Sequence, residues 1–146
     1  MNDGDNASLA EFLKQFWNVR QQLPGDTDLF GTLGICGDDA DEFIEQFSAR
    51  FGVDFTGYLW YFHHRDETFF NPGALFFKRP DQLVPRIPIT PDVLLEAIRT
   101  KRWSLQYPEH RLPVARWDVI FAIPATALLI FACALCVEAI GAALHR

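Results

Sequence analysis

The chain has 146 residues, of which 49% are hydrophobic and 14 are phenylalanine, so it holds enough apolar surface for one folded domain and is not expected to be disordered. The formal net charge is −6 and is uneven: residues 1–67 carry 13 acidic and 4 basic side chains, whereas residues 68–117 carry 8 basic and 4 acidic ones. An acidic domain lacks the cations that contact phosphates, which excludes nucleic acid as a partner, and three cysteines cannot form a disulfide framework.

The first predicted helix opens at the string Ser8-Leu-Ala-Glu11, which is typical of a capping box. Its apolar residues recur at helical spacing. They are Leu9, Phe12, Leu13, Phe16, Trp17 and Val19. The Leu-Pro-Gly string at residues 23–25 is expected to end this helix, and a polar loop is predicted for residues 26–31.

The second predicted helix has the most regular pattern in the chain. Asp38 or Asp39 is expected to cap it, and Gly52 is expected to end it. The apolar residues at helical spacing are Ala40, Phe43, Ile44, Phe47 and Phe51. The acidic residues beside that stripe are Asp41, Glu42 and Glu45. Acids in the first turns also suit the helix dipole, so this pattern alone does not require a partner.

The middle of the chain is less regular. Residues 53–55 and 58–62 suit either short strands or a helical turn, and residues 63–75 suit a loop around an Asn-Pro-Gly string. The prolines at 80, 85 and 88 predict an extended segment. Thr90 and Pro91 then predict the start of a further helix. Its expected apolar face consists of Val93, Leu94, Ala97 and Ile98.

Residues 117–144 predict a membrane-spanning helix, and residues 104–116 a juxtamembrane linker. The stretch from Val119 to Val137 holds nineteen consecutive uncharged residues. As a helix it is about 28 Å long, close to the roughly 30 Å hydrocarbon core of a bilayer. Trp117 lies where an interfacial aromatic is expected, and Pro124 is tolerable in the first turns. A buried core helix is the alternative, but such helices rarely lack a polar face over this length.

The charges that flank this segment predict its orientation. The cations before it are Lys101, Arg102, Arg111 and Arg116, whereas Arg146 follows it. Under the positive-inside rule, the N-terminal domain is cytoplasmic. Small residues on one helix face would suit a homo-oligomer. They are Ala125, Ala132, Cys136, Ala139 and Ala143.

Residues 33–55, LGICGDDADEFIEQFSARFGVDF, resemble the signature of a bacterial domain-of-unknown-function family that is itself similar to acyl carrier proteins. Residues 89–103, ITPDVLLEAIRTKRW, resemble the closing helix of that family. The resemblance implies a mostly α fold, with a small acyl-carrier-like helical bundle over residues 1–103, in a bacterial protein. The fold class expected for the whole chain is this bundle plus one C-terminal transmembrane helix.

The resemblance also bears on the prosthetic group of acyl carrier proteins, in which a serine at a helix N-terminus carries phosphopantetheine. It puts Gly37 at the position of that serine, and Gly37 has no hydroxyl to modify. It therefore implies the carrier-like fold without a cofactor. Carrier proteins meet basic partners through the acidic helix, which makes Asp41, Glu42 and Glu45 the candidate contacts to a basic protein surface.

Two further groups of residues are candidate sites. His63, His64, Asp66 and Glu67 are four potential metal ligands within five residues. Their spacing does not set two imidazoles on one helix face, so a surface loop is expected rather than a metal site. Cys36 lies near a helix N-terminus, where the pKa of a thiol can fall, but no base can be placed beside it. No catalytic residue is therefore assigned.

The sequence favours a non-catalytic, membrane-tethered protein-interaction module at the cytoplasmic face of a bacterial inner membrane, which presents its acidic helix to a basic partner. An alternative is an acyl carrier modified at another residue, for which Thr32 and Ser48 are the nearest hydroxyls. A third hypothesis is a small metal- or thiol-dependent enzyme.

Overall fold

The computed structural model describes residues 3–19, 23–67 and 71–144, and this part of the chain is mostly helical. The helices are α1 (Asp3–Trp17), α2 (Leu29–Leu33), α3 (Gly37–Phe51), α4 (Pro91–Thr100) and α5 (Trp117–Leu144). Short 3₁₀ helices lie at Trp60–Phe62, Pro72–Leu75 and Pro80–Gln82. No strand occurs in the described ranges, where one isolated bridge pairs Asp54 with Arg102. The mostly α fold class with one long apolar C-terminal helix is confirmed.

The chain divides into two compact units. The first comprises residues 1–67 and 84–110, and the second comprises residues 68–83 and 111–146. These boundaries differ from the predicted domain at 1–103 and linker at 104–116. Within the predicted linker, Leu105 and Tyr107 pack against the core of the first unit, which includes the buried Trp103.

The core of the first unit is built largely from the aromatic stripes of α1 and α3. Phe43 and Phe47 are fully buried, and the ring of Trp17 stacks on that of Phe43 with centroids 4.2 Å apart. Burying one such side chain stabilises a fold by about 1.5–3 kcal/mol. The predicted apolar faces of both helices are therefore the faces that pack together.

Helix α1 begins earlier and ends earlier than the sequence predicts. It starts at Asp3, and the hydroxyl of Ser8 donates to the carbonyl of Gly4 at 2.8 Å inside the helix. The capping-box interpretation of Ser8 is therefore wrong. The helix ends at Trp17, before the predicted Leu-Pro-Gly string, because Asn18 adopts a left-handed conformation with φ 54°.

Helix α2 occupies the end of the segment predicted to be a polar loop. Leu29 and Phe30 are buried in the core, and their burial favours a helical turn in this short segment. The carboxylate of Asp28 caps the helix by accepting from the backbone N–H of Gly31 at 3.0 Å. The loop prediction is wrong for these residues because burial of Leu29 and Phe30 outweighs the polar character of the neighbouring residues.

The segments around α4 agree with the sequence in part. Thr90 caps α4, Pro91 is its first residue, and Leu94 and Ala97 are buried, as predicted. Residues 60–62 form a 3₁₀ helix, which settles the alternative between a strand and a turn. The expected loop over residues 63–75 contains another 3₁₀ helix, and a third begins at Pro80 instead of an extended chain.

Helix α5 belongs to the second unit and has the predicted bounds, Trp117–Leu144. Residues Trp117–Glu138 are long and apolar enough to cross a membrane, and none of the apolar window is buried in the structure. Val119 and Val137 are exposed, and Pro124 lies inside the helix. Of the small-residue face, the side chains at 139 and 143 lie outside the described residues.

Candidate functional site

The acidic surface of α3 is separated cleanly from its packed face. Ala40, Phe43 and Phe47 are fully buried. Five carboxylates are exposed, those of Asp38, Asp39, Asp41, Glu42 and Glu45. Helix α3 begins at Gly37 with Cys36 as its N-cap, so the prediction that Asp38 or Asp39 caps it is wrong, and both lie in the first turn. Gly52 ends it, as predicted, in a left-handed conformation.

An open groove of about 730 Å³ lies between α1 and α3 beside these carboxylates. Phe12, Phe16 and Trp17 contribute aromatic surface from α1. Asp39 and Glu42 contribute carboxylates from the first half of α3, and Arg50 contributes a guanidinium group from its last turn. Aromatic surface beside carboxylates suits a lysine or arginine, whose methylene stem packs on the rings while its cation meets the acids. The sequence could not reveal this groove, because it depends on which faces of two separate helices meet.

The start of α3 is closed by the chain itself. Gly37 has φ 51°, which favours glycine, and its N–H donates to the carbonyl of Arg65 at 3.2 Å. A Cβ built on Gly37 would overlap the side chain of Glu67. A serine would therefore be strained and would collide with Glu67, so the lack of a hydroxyl is only one of the obstacles to a modification at this position.

Cys36 is held next to the same carboxylate. Its Sγ donates to Oε1 of Glu67 at 3.2 Å. Burial raises the pKa of the Cys36 thiol, and the hydrogen bond to Glu67 raises it further. The position near a helix N-terminus therefore does not produce a lowered thiol pKa here, because desolvation and a nearby carboxylate both oppose the thiolate.

The two histidines are buried, which contradicts the prediction of a surface loop. His63 is fully buried and His64 is only 6% exposed. Nδ1 of His63 lies 2.9 Å from the carbonyl oxygen of Ile87. Nε2 of His64 lies 3.9 Å from Oδ1 of Asp41, on the acidic surface of α3. The neighbouring aromatic residues account for the burial, because Tyr58 stacks on His63 with centroids 5.0 Å apart.

The hydrogen bonds around His63 define its tautomer. The hydroxyl of Tyr107 accepts from Nε1 of Trp103 at 2.8 Å and from the N–H of Leu59 at 3.2 Å. The same hydroxyl therefore donates its proton to Nε2 of His63, 2.8 Å away, and Nδ1–H of His63 donates to Ile87. Burial is the main reason that the pKa of His63 falls to about 4. His63 is thus a neutral structural residue at neutral pH.

The four residues predicted as potential metal ligands do not share one centre. His63 and Glu67 bind Tyr107 and Cys36 respectively. Across residues 3–19, 23–67 and 71–144, no group of three or more His, Cys, Asp or Glu side chains is arranged to hold a metal ion. These contacts of His63 and Glu67 are thus hydrogen bonds that join separate segments of the first unit.

Comparisons with known proteins give no match, whether with protein-family models, with curated proteins or with solved structures. The resemblance of residues 33–55 to a carrier-like family therefore stays a prediction. The candidate partner surface rests on the geometry of α1 and α3 and on its charge.

Proposed function

We propose that this chain is a non-catalytic, membrane-tethered interaction module that presents the acidic surface of α3 to a basic protein. The observation that carries the proposal is the juxtaposition of exposed carboxylates with the aromatic groove between α1 and α3. The carboxylates steer a cationic surface toward the helix, and the groove adds apolar contact that a purely solvated acidic helix lacks. Asp41, Glu42 and Glu45 are the proposed partner contacts.

The tether in this proposal is α5, in a single pass through a bacterial inner membrane. The cations that precede it favour a cytoplasmic first unit. They are Lys101, Arg102, Arg111 and Arg116. Holding both binding partners at one membrane raises their effective concentration, so a modest affinity suffices. Protease added to intact spheroplasts should spare the first unit, and its digestion there would contradict the orientation.

The proposal includes an acyl-carrier-like bundle without the carrier chemistry. The lack of space for a side chain at Gly37 supports the proposed absence of carrier chemistry. The hydroxyl of Ser48 supports it as well, because it donates to the carbonyl of Val53 at 2.8 Å. Thr32, the other hydroxyl considered, is exposed on the short helix α2. The intact mass of the chain purified from its native membrane should equal that of the unmodified polypeptide. A phosphopantetheine adduct would restore the carrier alternative.

Charge reversal on α3 tests the partner surface. Crosslinking in native membranes first identifies a captured protein, which is then purified for binding measurements. The double variant Glu42→Lys, Glu45→Lys should weaken that binding at least about tenfold, because both substitutions put like charges against the basic partner.

A matched control variant distinguishes an effect of the α3 surface from an effect of net charge alone. The double variant Asp26→Lys, Glu109→Lys makes the same change in net charge at exposed positions outside α1 and α3. It should bind within about twofold of the wild type at physiological ionic strength, where charges more than about 8 Å apart are screened. Equal weakening by both variants would refute a role for the α3 surface, as would binding that neither variant alters.

A further inference from the structure

The 3₁₀ helix Pro72–Leu75 is fixed to the first turns of α5 within the second unit. The ring of Phe77 stacks on that of Phe121, with centroids 4.9 Å apart. Nδ2 of Asn71 donates to Oδ2 of Asp118 at 3.2 Å. Gly73 is buried against the backbone of Asp118 so closely that a Cβ would not fit. Aromatic stacking, a hydrogen bond and close backbone packing therefore fix the position of this segment along the axis of α5.

The end of the same segment presents large apolar side chains that the second unit leaves uncovered. Leu75 is 82% exposed and Phe76 is 81% exposed. Each would be stabilised by moving from water into an apolar environment. In the described part of the chain, two adjacent and highly exposed apolar side chains on a segment fixed by its neighbours form a candidate contact surface.

The contact with α5 places these side chains at the level where that helix would enter a membrane. Phe121 lies four residues after Trp117, which is about 6 Å along the helix axis. Lys78, which follows the apolar residues almost directly, is exposed. Apolar side chains followed by a cation are typical of a segment at the boundary between acyl chains and anionic headgroups.

Asp118 fits the same location because its charge is fully compensated. It is 2% exposed, and its carboxylate accepts from Nε of Arg116 at 3.0 Å and from Nη2 at 2.7 Å. Together with the bond from Asn71, these contacts satisfy a carboxylate that would otherwise be costly at the edge of the hydrocarbon. The same carboxylate thus connects the 3₁₀ segment to the helix.

We propose that residues 72–78 form a second membrane contact, in which Leu75 and Phe76 insert into the leaflet that α5 enters and Lys78 lies at its phosphates. This inference rests on the proposed membrane-spanning role of α5. Lipid is the proposed occupant because the segment that bears these exposed side chains packs against the first turns of the spanning helix and continues into a cation, Lys78. A two-point contact restrains the rotation of α5 about its own axis, which a single spanning helix does not.

The depth of residue 76 in vesicles tests the proposal. The full chain, with its native cysteines replaced and Phe76→Cys labelled with an environment-sensitive fluorophore, is reconstituted into vesicles of phosphatidylcholine and phosphatidylglycerol. Leu128→Cys, in the middle of α5, and Glu109→Cys, exposed in the first unit, are the references. Lipids spin-labelled near the headgroup should quench position 76, and iodide should quench it several-fold less than position 109. Lipids spin-labelled deep in the acyl chain should quench position 128.

Three results would overturn the proposal, and the third of them would also overturn the proposed membrane span. If iodide reaches position 76 as readily as position 109 while position 128 is deep, the second contact is wrong and the membrane span stands. If position 76 is shielded from iodide but not quenched by lipid spin labels, protein covers it instead of lipid. If position 128 is also open to iodide, the proposed span fails together with this inference. Leu75→Cys provides a second probe of the same surface and should behave as position 76 does.

Discussion

The buried His63 makes the stability of the first unit depend on pH in a way that can be calculated. Its pKa is about 4 in the folded chain, against an ordinary value of 6.5 when exposed. Since the folded-state pKa is the lower one, the unfolded chain binds more protons between these values, and the stability present above pH 6.5 is lost as the pH falls toward 4. Each unit of pKa difference corresponds to about 1.4 kcal/mol, so protonation removes about 3 kcal/mol in full and about 2 kcal/mol between pH 7 and about pH 5.

The assay is urea unfolding of the full chain in detergent micelles, followed by the fluorescence of its tryptophans. The wild type is compared at each pH with His63→Gln, which removes the titrating group but also changes its packing. Carboxylates that titrate in the same range contribute equally to both proteins. The difference in unfolding free energy between them should therefore shrink by about 2 kcal/mol from pH 7 to about pH 5. A difference that stays constant over this range would refute the buried, neutral state of His63.

Three further substitutions test other parts of the structure. Tyr107→Phe should lower the free energy of unfolding by about 2–4 kcal/mol, because it leaves Nε1–H of Trp103, a backbone N–H and a histidine nitrogen without a partner. A loss under about 0.5 kcal/mol would contradict this hydrogen-bond network. Gly37→Ser should destabilise by about 1–3 kcal/mol in thermal unfolding, and Glu67→Gly in the same chain, which removes the overlapping Cβ and carboxylate, should recover part of that loss. Asp28→Ala removes the cap of α2 and an ion pair, so it should cost about 1–2 kcal/mol, and equal stability in urea would show that the cap contributes nothing.

The elements that the sequence predicts well are those with local signals. Thr90 and Pro91 define the start of α4 from their own backbone preferences, and the periodic phenylalanines of α3 define its buried face. The existence of α5 follows from an uncharged run of nineteen residues, which is itself a local feature of the sequence. None of these needs information from a distant part of the chain.

The features that the sequence does not predict depend on partners far away in the chain. The buried His63 is hydrogen-bonded to Tyr107, more than forty residues later, whose hydroxyl donates to Nε2 of His63. Gly37 adopts a positive φ against Glu67, a contact that a resemblance to carrier proteins cannot supply. The packing of the 3₁₀ helix Pro72–Leu75 against α5 cannot be predicted from the sequence either. Its aromatic and amide contacts join segments that are separated by the whole of α4.

The location of α5 is the central claim, and alkaline carbonate extraction of membranes that contain the full chain tests it most directly. A helix whose apolar side chains are buried in lipid stays with the membrane pellet, because extraction removes proteins held by charge but not those held by the hydrophobic effect. We expect the full chain in the pellet. Its quantitative release into the supernatant as a monodisperse, detergent-free protein would contradict the membrane span and the tethering role that depends on it.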